Sequence, residues 1–377
     1  MSYRILHFAD LHLDASFATA GMSPSVSKQR REDLRSSLKR IMGKAKELSV
    51  NAITIAGDLY EQERVSSDTL NFLMAQLAAI APIPVIIAPG NHDPYFSGSP
   101  YHQLRWSSNV SVFSSPELSP YQLSSNITIW GAAHNSPSFR TNVVEHFRTP
   151  PASCSILLIH GSDTTRVPLG KEAHCPFAPD QIASSGAKFG LLGHYHKAML
   201  IGTDKPICGY PGSPEPLGFD EEGSHYVILL DIDADKIVAQ LIPVNTTIYR
   251  KVEIDVSSAL SVEDIIQSIR ALSNPDDEKR TMVRVSLEGE LHPDVEMDLE
   301  SIMHGCHDLF RFLNVENHSN PAYDLESIAQ EPTVRGTFVS RMMNRIGQCT
   351  TDSEKNIVLQ AVVYGLRALG GKAITPI

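Results

Sequence analysis

Five short runs within residues 1–196 gather side chains that bind divalent cations: Asp10-Leu11-His12, Gly57-Asp58, Gly90-Asn91-His92-Asp93, His160-Gly161 and Gly193-His194-Tyr195-His196. Together they offer carboxylate oxygen, amide oxygen and imidazole nitrogen but no thiolate. That donor set suits manganese or iron, with zinc able to compete. Taken singly, each run has an ordinary explanation. D-x-H after a strand is common, Gly-Asp is a frequent turn, and a lone histidine at a strand end is usually a hydrogen-bonded structural residue. Gly-Asn-His-Asp is more specific, because four turn-capable residues seldom follow a proline-flanked apolar run by accident. Gly-His-x-His carries a geometric condition, since alternate residues converge on one cluster only where the backbone bends. All five in order along one domain are hard to reconcile with chance.

The elements that must hold these groups are strands. Tyr3–Ala9, Ala52–Ala56, Val85–Ala88, Ile127–Trp130, Ser155–Ile159 and Phe189–Leu192 read as buried strands. Each runs into a polar segment, and all but Ile127–Trp130 lead into one of the five motifs. Between the first two lies a helix with Leu34, Leu38, Ile41, Ala45 and Leu48 on one face. Strands alternating with helices make an α/β domain, and delivery of ligands at the carboxyl ends of its strands is the usual location for an α/β site. Near Asn245 the pattern changes. Tyr249–Val256, Met282–Leu287 and Leu309–Val315 read as strands, and Ser261–Leu272 and Leu299–Cys306 as helices, a small βαβαβ unit. A polar loop after Asn320 leads to two helices, Thr333–Ile346 and Ser353–Leu369, the second capped by Asp352 or Ser353 and stopped at Gly370-Gly371.

Composition limits what else the chain can be. Of 377 residues, 42% are hydrophobic and 20% charged, the balance of an ordinary globular protein rather than a disordered one. The apolar run around Ile80–Pro89 is short and broken by Pro82 and Pro84, which argues against a membrane span. The chain enters its first strand without the residue order of a secretion signal. Cys154, Cys175, Cys208, Cys306 and Cys349 are scattered and form no C-x-x-C pair, as expected of reduced thiols in a cytoplasmic protein. A net charge of −11 is unlike a simple electrostatic DNA binder, although cations bound among carboxylates would reverse the field locally.

D-x-H, G-D, G-N-H-D, a single His and G-H-x-H, in that order, form the signature of the calcineurin-like metallophosphoesterases, which residues 1 to about 240 resemble with no motif missing. Phe8-Ala9-Asp10-Leu11-His12-Leu13, Ala56-Gly57-Asp58-Leu59-Tyr60 and Tyr210-Pro211-Gly212-Ser213-Pro214-Glu215-Pro216-Leu217 resemble one branch more closely, the DNA-repair exonucleases of SbcD and YhaO type. One departure is Gly223-Ser224-His225, where that branch often carries a Lys–Gly pair before a strand. The resemblance implies a four-layer α/β/β/α sandwich over residues 1–245, a smaller α+β capping domain over 246–320, and a C-terminal helical segment over 321–377. It makes Asp10, His12 and His196 ligands of one metal, Asn91, His160 and His194 ligands of a second, and Asp58 the bridge. The ions are most readily manganese, with iron or zinc as alternatives. His92 would stabilise the phosphate and protonate the leaving oxygen. Asp93 would orient His92 or, equally, cap the turn. His7, His102, His134, His146, His174 and His225 are read as structural or surface residues, and Phe8, Phe17, Tyr95 and Trp106 as packing residues before base-stacking ones.

The function implied is manganese-dependent hydrolysis of DNA ends, as the nuclease subunit of a repair complex with an SbcC-like coiled-coil ATPase. Two alternatives keep the same fold: a phosphoesterase for a small phosphodiester or a phosphoprotein, and a catalytically weak scaffold. The branch also implies a homodimer, for which helices near Ser66–Ile80 and Ser99–Trp106 are candidates. The apolar faces of the C-terminal helices exceed what the pair can bury, so they must dock on the chain's own body or on the ATPase.

Overall fold

The apolar runs before the motifs form strands, and the amphipathic stretch between the first two forms a helix. In a computed structural model describing residues 3–17, 22–150, 154–167, 170, 172–233, 236–274 and 278–371, the chain divides into two compact units, Met1–Tyr249 and Arg250–Ile377. The first opens with β1 (Tyr3–Phe8), α1 (Pro24–Glu47), β2 (Ala52–Ala56), α2 (Ser67–Ala78), β3 (Val85–Ala88), α3 (Pro100–Gln103) and β4 (Val110–Val112). It continues through β5 (Ser119–Gln122), β6 (Ile127–Gly131), β7 (Cys154–His160), α4 (Pro179–Ser184), β8 (Phe189–Gly193), β9 (Met199–Ile201), β10 (Cys208–Tyr210), β11 (Tyr226–Asp233) and β12 (Lys236–Pro243).

These strands make two six-stranded sheets, ordered β12-β11-β1-β2-β3-β4 and β5-β6-β7-β8-β10-β9. β1 to β4 run parallel in the first sheet, as do β6, β7, β8 and β10 in the second; antiparallel strands close one edge of the first sheet (β11 and β12) and both edges of the second (β5 and β9). Parallel strands buried on both faces need cover on both. On the inner face, Ile5, Ala9, Ala52 and Ile86 of one sheet meet Ile129, Ile156, Leu158 and Leu191 of the other in one core. The alternate residues Leu6, Phe8, Ile53, Ile55, Val85 and Ile87 are buried on the opposite face, as are Leu34, Leu38 and Ile41 of α1 and Leu73 and Leu77 of α2. Each such aliphatic side chain contributes about 1.5–3 kcal/mol on burial. The outer face of the second sheet packs Leu157, Ile159 and Leu192 on Phe177 and Ile182. That fourth layer is thin: α4 is its one short helix among the described residues, and irregular chain supplies the rest.

α1 begins where Ser23 accepts a hydrogen bond from the Val26 amide and Pro24 presets the first helical φ. It ends at Leu48, which the apolar spacing places on the helix face and which is instead the C-cap. Two features depart from what the sequence pattern predicts. β11 and β12 form a long antiparallel pair at the edge of the first sheet, and α3 covers only four residues of the helix expected over Ser99–Trp106.

The second unit carries β13 (Ile248–Asp255), α5 (Val262–Arg270), β14 (Thr281–Glu288), β15 (Glu290–Leu291), α6 (Leu299–Gly305), β16 (Phe312–Asn317) and β17 (Asn320–Pro321). A three-stranded sheet, β13-β14-β16, packs Val283, Val285 and Val315 against Ile265 and Ile269 of α5 and Ile302 of α6. α7 (Leu325–Ala329), α8 (Val334–Gln348) and α9 (Asp352–Leu369) follow, joined by a cluster of Ile328, Val339, Val362 and Leu366. α9 is capped by Thr351, whose side chain bonds the Glu354 amide, rather than by Asp352 or Ser353. Among the described residues no helix is long and apolar enough to cross a membrane.

Candidate metal centre

The motifs begin where the strands stop, and the backbone there turns left-handed. Asp10 (φ 54°), His12 (φ 49°), Asp58 (φ 51°) and His194 (φ 113°) all have positive φ. For a residue other than glycine this costs on the order of 1–3 kcal/mol, least for aspartate, asparagine and histidine. The bend is what allows alternate residues such as Asp10 and His12 to face one point. Backbone pairing holds the first two motifs side by side: the amides of Asp10 and His12 donate to the carbonyls of Gly57 (3.1 Å) and Asp58 (2.9 Å). Two glycines let the segments approach. A Cβ on Gly57 would lie 2.6 Å from the Cα of Gly90, and one on Gly193 would lie 1.9 Å from the Ala56 carbonyl oxygen.

Two groups of donors result. In the first, Nδ1 of His12 donates to Glu61 Oε1 (2.7 Å) and Nδ1 of His196 to Glu221 Oε1 (2.6 Å). A carboxylate can only accept, so each ring carries a proton on Nδ1 and turns Nε2 inward, the nitrogen free to ligate a cation. The two Nε2 atoms stand 3.1 Å apart, and Asp10 completes a set whose ligand atoms lie within 4.8 Å of one another. In the second, Nδ1 of His160 donates to the Ala56 carbonyl (2.8 Å), so its Nε2 is free as well. That nitrogen faces Asn91 Oδ1 at 2.9 Å, His194 Nδ1 at 3.2 Å and Asp58 Oδ2 at 3.4 Å. Asp58 Oδ2 is also 3.7 Å from His12 Nε2, which puts this carboxylate between the groups. Lone pairs aimed at lone pairs repel unless a cation lies among them. The residues therefore fit a pair of divalent ions.

The electrostatics of the protein groups agree. Burial, with Asp58 nearby, raises the Asp10 carboxyl to about 8 despite the attraction of His196. Burial works against ionisation of Asp58 too, but the imidazoles of His160, His12 and His92 hold it below the usual carboxylate range. Burial lowers His160 to about 3, and burial together with His160 lowers His194 to about 3. Burial opposes protonation of His196, yet Glu221 and Asp10 raise it to about 9. Burial thus opposes ionisation of both carboxylates and keeps His160 and His194 neutral, a balance that the positive charge of bound divalent ions would shift toward the ionised ligands.

His92 lies at the rim of the first group, its ring centred 4.8 Å from that of His12, and with His12 and Glu61 it makes a third set of ligand atoms within 4.8 Å of one another. Its amide donates to Asp58 Oδ1 (2.8 Å), and its half-exposed ring bonds Glu61 Oε2 through Nδ1 (2.9 Å). That bond raises the ring to about 9, against partial burial. Asp93 does not orient this ring. Its Oδ1 accepts from the amides of Asp58 (2.9 Å) and Gly90 (2.7 Å), and its Oδ2 from the Leu59 amide and the Tyr101 hydroxyl (both 2.7 Å). These bonds are of the turn-holding kind: two tie the segment of the second motif to the third, one closes the third motif on itself and one comes from Tyr101 of α3.

Glu61 and Glu221 are the site residues that sequence reasoning missed. Glu221 also accepts from the Ser213 hydroxyl (2.6 Å) and the Leu217 amide (3.0 Å), so the Tyr210–Leu217 phrase holds the partner of His196. That phrase is anchored by Glu215, which pairs with Arg40 at 2.7 Å, and by the buried Arg30, which donates to the Pro216 carbonyl at 2.7 Å. Other histidines have structural partners. His7 bonds Thr54 and the Leu192 carbonyl, His134 bonds the His160 carbonyl, and His225 bonds the Ser213 carbonyl. His174 is nearer the site than expected, its ring centred 5.4 Å from that of His194. Phe8 and Phe17 are buried and pack rather than stack on a ligand.

Residues 3–198, just over half of the chain, match the family model described as calcineurin-like phosphoesterase. The metallophosphoesterase YhaO of Bacillus subtilis is 27% identical over 299 residues, covering 75% of this chain and 71% of that protein. The DNA double-strand break repair protein Mre11 of Haloferax volcanii is 25% identical, covering 76% of this chain and 62% of its own length. Mre11 of Aeropyrum pernix is 24% identical, covering 79% of this chain and 73% of that protein. The chain belongs to the calcineurin-like phosphoesterase family, and is a metal-binding hydrolase of phosphoester bonds.

Proposed function

We propose that this protein is a nuclease that hydrolyses phosphodiester bonds at DNA ends with two divalent ions, manganese foremost, and that an SbcC-like coiled-coil ATPase is its partner. The observation that carries the reading is the convergence of seven donor side chains on two adjacent points with Asp58 between them. In this reading Asp10, His12 and His196 hold one ion, Asn91, His160 and His194 the other, and Asp58 both. When bound, such a pair supplies Lewis-acid polarisation of a phosphate and a nucleophile at neutral pH.

The remaining chemistry falls to the protein's own groups. Glu61 accepts from His12 and His92 together, and so fixes the spacing between a metal ligand and the proton donor. With Nδ1 bound to Glu61, His92 presents Nε2 to the open side of the site, where a protonated ring can donate to the departing oxygen. Relatives named for double-strand break repair support DNA over a small ester. The second unit supports it too, as a domain that can cap a polymer over residues 246–320, with 321–377 left to engage the ATPase.

Purified protein with manganese, offered linear DNA, a chromogenic phosphodiester and a phosphopeptide side by side, tests the reading. DNA should be cleaved. Hydrolysis of the ester or the peptide with no cleavage of DNA would replace the nuclease by a small-substrate or phosphoprotein enzyme.

A further inference from the structure

A chain with a net charge of −11 carries four cationic side chains around one recess of about 490 Å³ in its first unit. Lys28, Arg31 and Arg35 come from α1 at i, i+3 and i+7, the spacing of a single helix face, and Arg64 faces them from the loop before α2. The plain account of a charged helix face is solubility, but such a face normally mixes signs. Here three basic side chains share the recess with one acidic one from α1, Glu32, and the first turn of the helix has no acidic residue. Two acidic side chains also line the recess, Asp14 and the exposed Glu32, so four cations face two carboxylates there, and Asp14 is already engaged, accepting from the Ser66 amide and the Thr69 hydroxyl (both 2.9 Å). Arg35 is tied to Thr69 and the exposed Asp68. Among the described residues Lys28, Arg31 and Arg64 form no ion pair; Lys28 and Arg64 are exposed and Arg31 is partly so.

The position of the recess matters as much as its charge. Its floor is made by the two segments that supply the metal centre. Asp14 and Ser16 continue the strand-end run that holds Asp10 and His12, while Arg64 and Ser66 continue the run of Asp58 and Glu61. The two runs are paired, with Leu13 bridged to Tyr60 and the Glu61 amide donating to the Leu13 carbonyl at 3.0 Å. The turn that places Arg64 is closed by its amide on the Glu61 carbonyl at 2.9 Å. A phosphodiester polymer engaged at the metals thus has a cationic recess beside it on the same rigid pair of loops.

We propose that this recess binds backbone phosphates of DNA flanking the bond to be cut. The inference rests on the nuclease reading and gives the site a grip that the overall charge withholds. It also gives cleavage a measuring point, since the spacing between recess and metals is fixed by the Leu13–Tyr60 pairing.

The test is a triple variant, Lys28→Gln/Arg31→Gln/Arg64→Gln, in the full chain. Its affinity for a linear duplex with a cleavage-resistant phosphorothioate backbone is titrated against salt. We expect at least about a tenfold loss of affinity near 100 mM salt, and a salt slope shallower by ~1 for each phosphate that the variant no longer neutralises. Manganese content and turnover of the chromogenic diester, which reaches only the metals, should stay at the wild-type level. A variant that binds the duplex with wild-type affinity and slope overturns the recess while leaving the nuclease reading standing. A wild-type protein that hydrolyses the small ester but binds no duplex brings down both, and does so before the variant is compared.

Discussion

At the scale of residues, the proposed function separates groups that would hold cations from a group that would move a proton. His92 lies beside Asn91 in sequence, yet its half-exposed ring is held by Glu61 at the rim of the site, centred 4.8 Å from the ring of His12. His92→Ala should therefore retain both ions by elemental analysis and lose about two to four orders of magnitude in turnover. Collapse of the metal content in that variant would make His92 a ligand. Asp58 is different in kind, because one of its oxygens lies near a nitrogen from each cluster. Asp58→Asn, which keeps a side chain tolerant of the left-handed backbone, should lose most affinity for both ions, whereas His12→Ala should chiefly empty one. Loss of a single ion by both variants would mean that the bridge lies elsewhere.

At the scale of elements, much of the centre is legible in the sequence, because the ligands sit immediately after strands whose apolar character is unmistakable. Val85–Ala88 and Ala52–Ala56 coincide with the strands observed. Glu61 and Glu221 are not legible in this way. Glu61 acts on rings from two other motifs, and Glu221 sits in the run Asp220-Glu221-Glu222, which looks like a solvated charge cluster. The left-handed turns at Asp10, His12, Asp58 and His194 leave no mark in composition either, since aspartate and histidine are ordinary turn residues. His7 shows how polar groups also join the sheets. From β1 it bonds Thr54 of β2 and the Leu192 carbonyl of β8, in the core between them. Burial lowers this ring to about 4, against 6.5 for an exposed imidazole. The unfolded chain therefore binds the extra proton first as pH falls. Stability from this group is intact above about pH 6.5, is lost as pH drops from there to about 4, and changes no further below. The loss should be of order 3 kcal/mol. His7→Leu should flatten that part of the denaturant-measured stability profile while lowering stability at neutral pH. An unchanged pH profile would mean that the ring does not titrate in folding.

At the scale of the whole molecule, the C-terminal helices answer part of the packing problem their sequences pose. α7, which falls within the polar loop read from the sequence, joins α8 and α9 in one small cluster, so three helices share the burial. Val334, Ile357, Leu359 and Leu369 nevertheless stay exposed. If the proposed SbcC-like ATPase binds here, deleting the residues after 325 should leave metal-dependent hydrolysis of a small phosphodiester intact and abolish pull-down of that ATPase. Unfolding of the truncated chain by circular dichroism would assign these helices to the protein's own stability instead. The metal centre has a wider consequence of its own. Each cluster of donors draws on both sheets: Asp10 and His12 meet His196, and Asp58 and Asn91 meet His160 and His194. Ion binding and the docking of one sheet on the other are then a single linked equilibrium. The free cation concentration enters the folding free energy as RT ln(1 + [M]/Kd), about 2.7 kcal/mol per site at a hundredfold excess over Kd. A chelator should thus lower the melting temperature by several degrees while the fold persists, and a cell short of the metal would lose this protein to proteolysis as well as losing its activity.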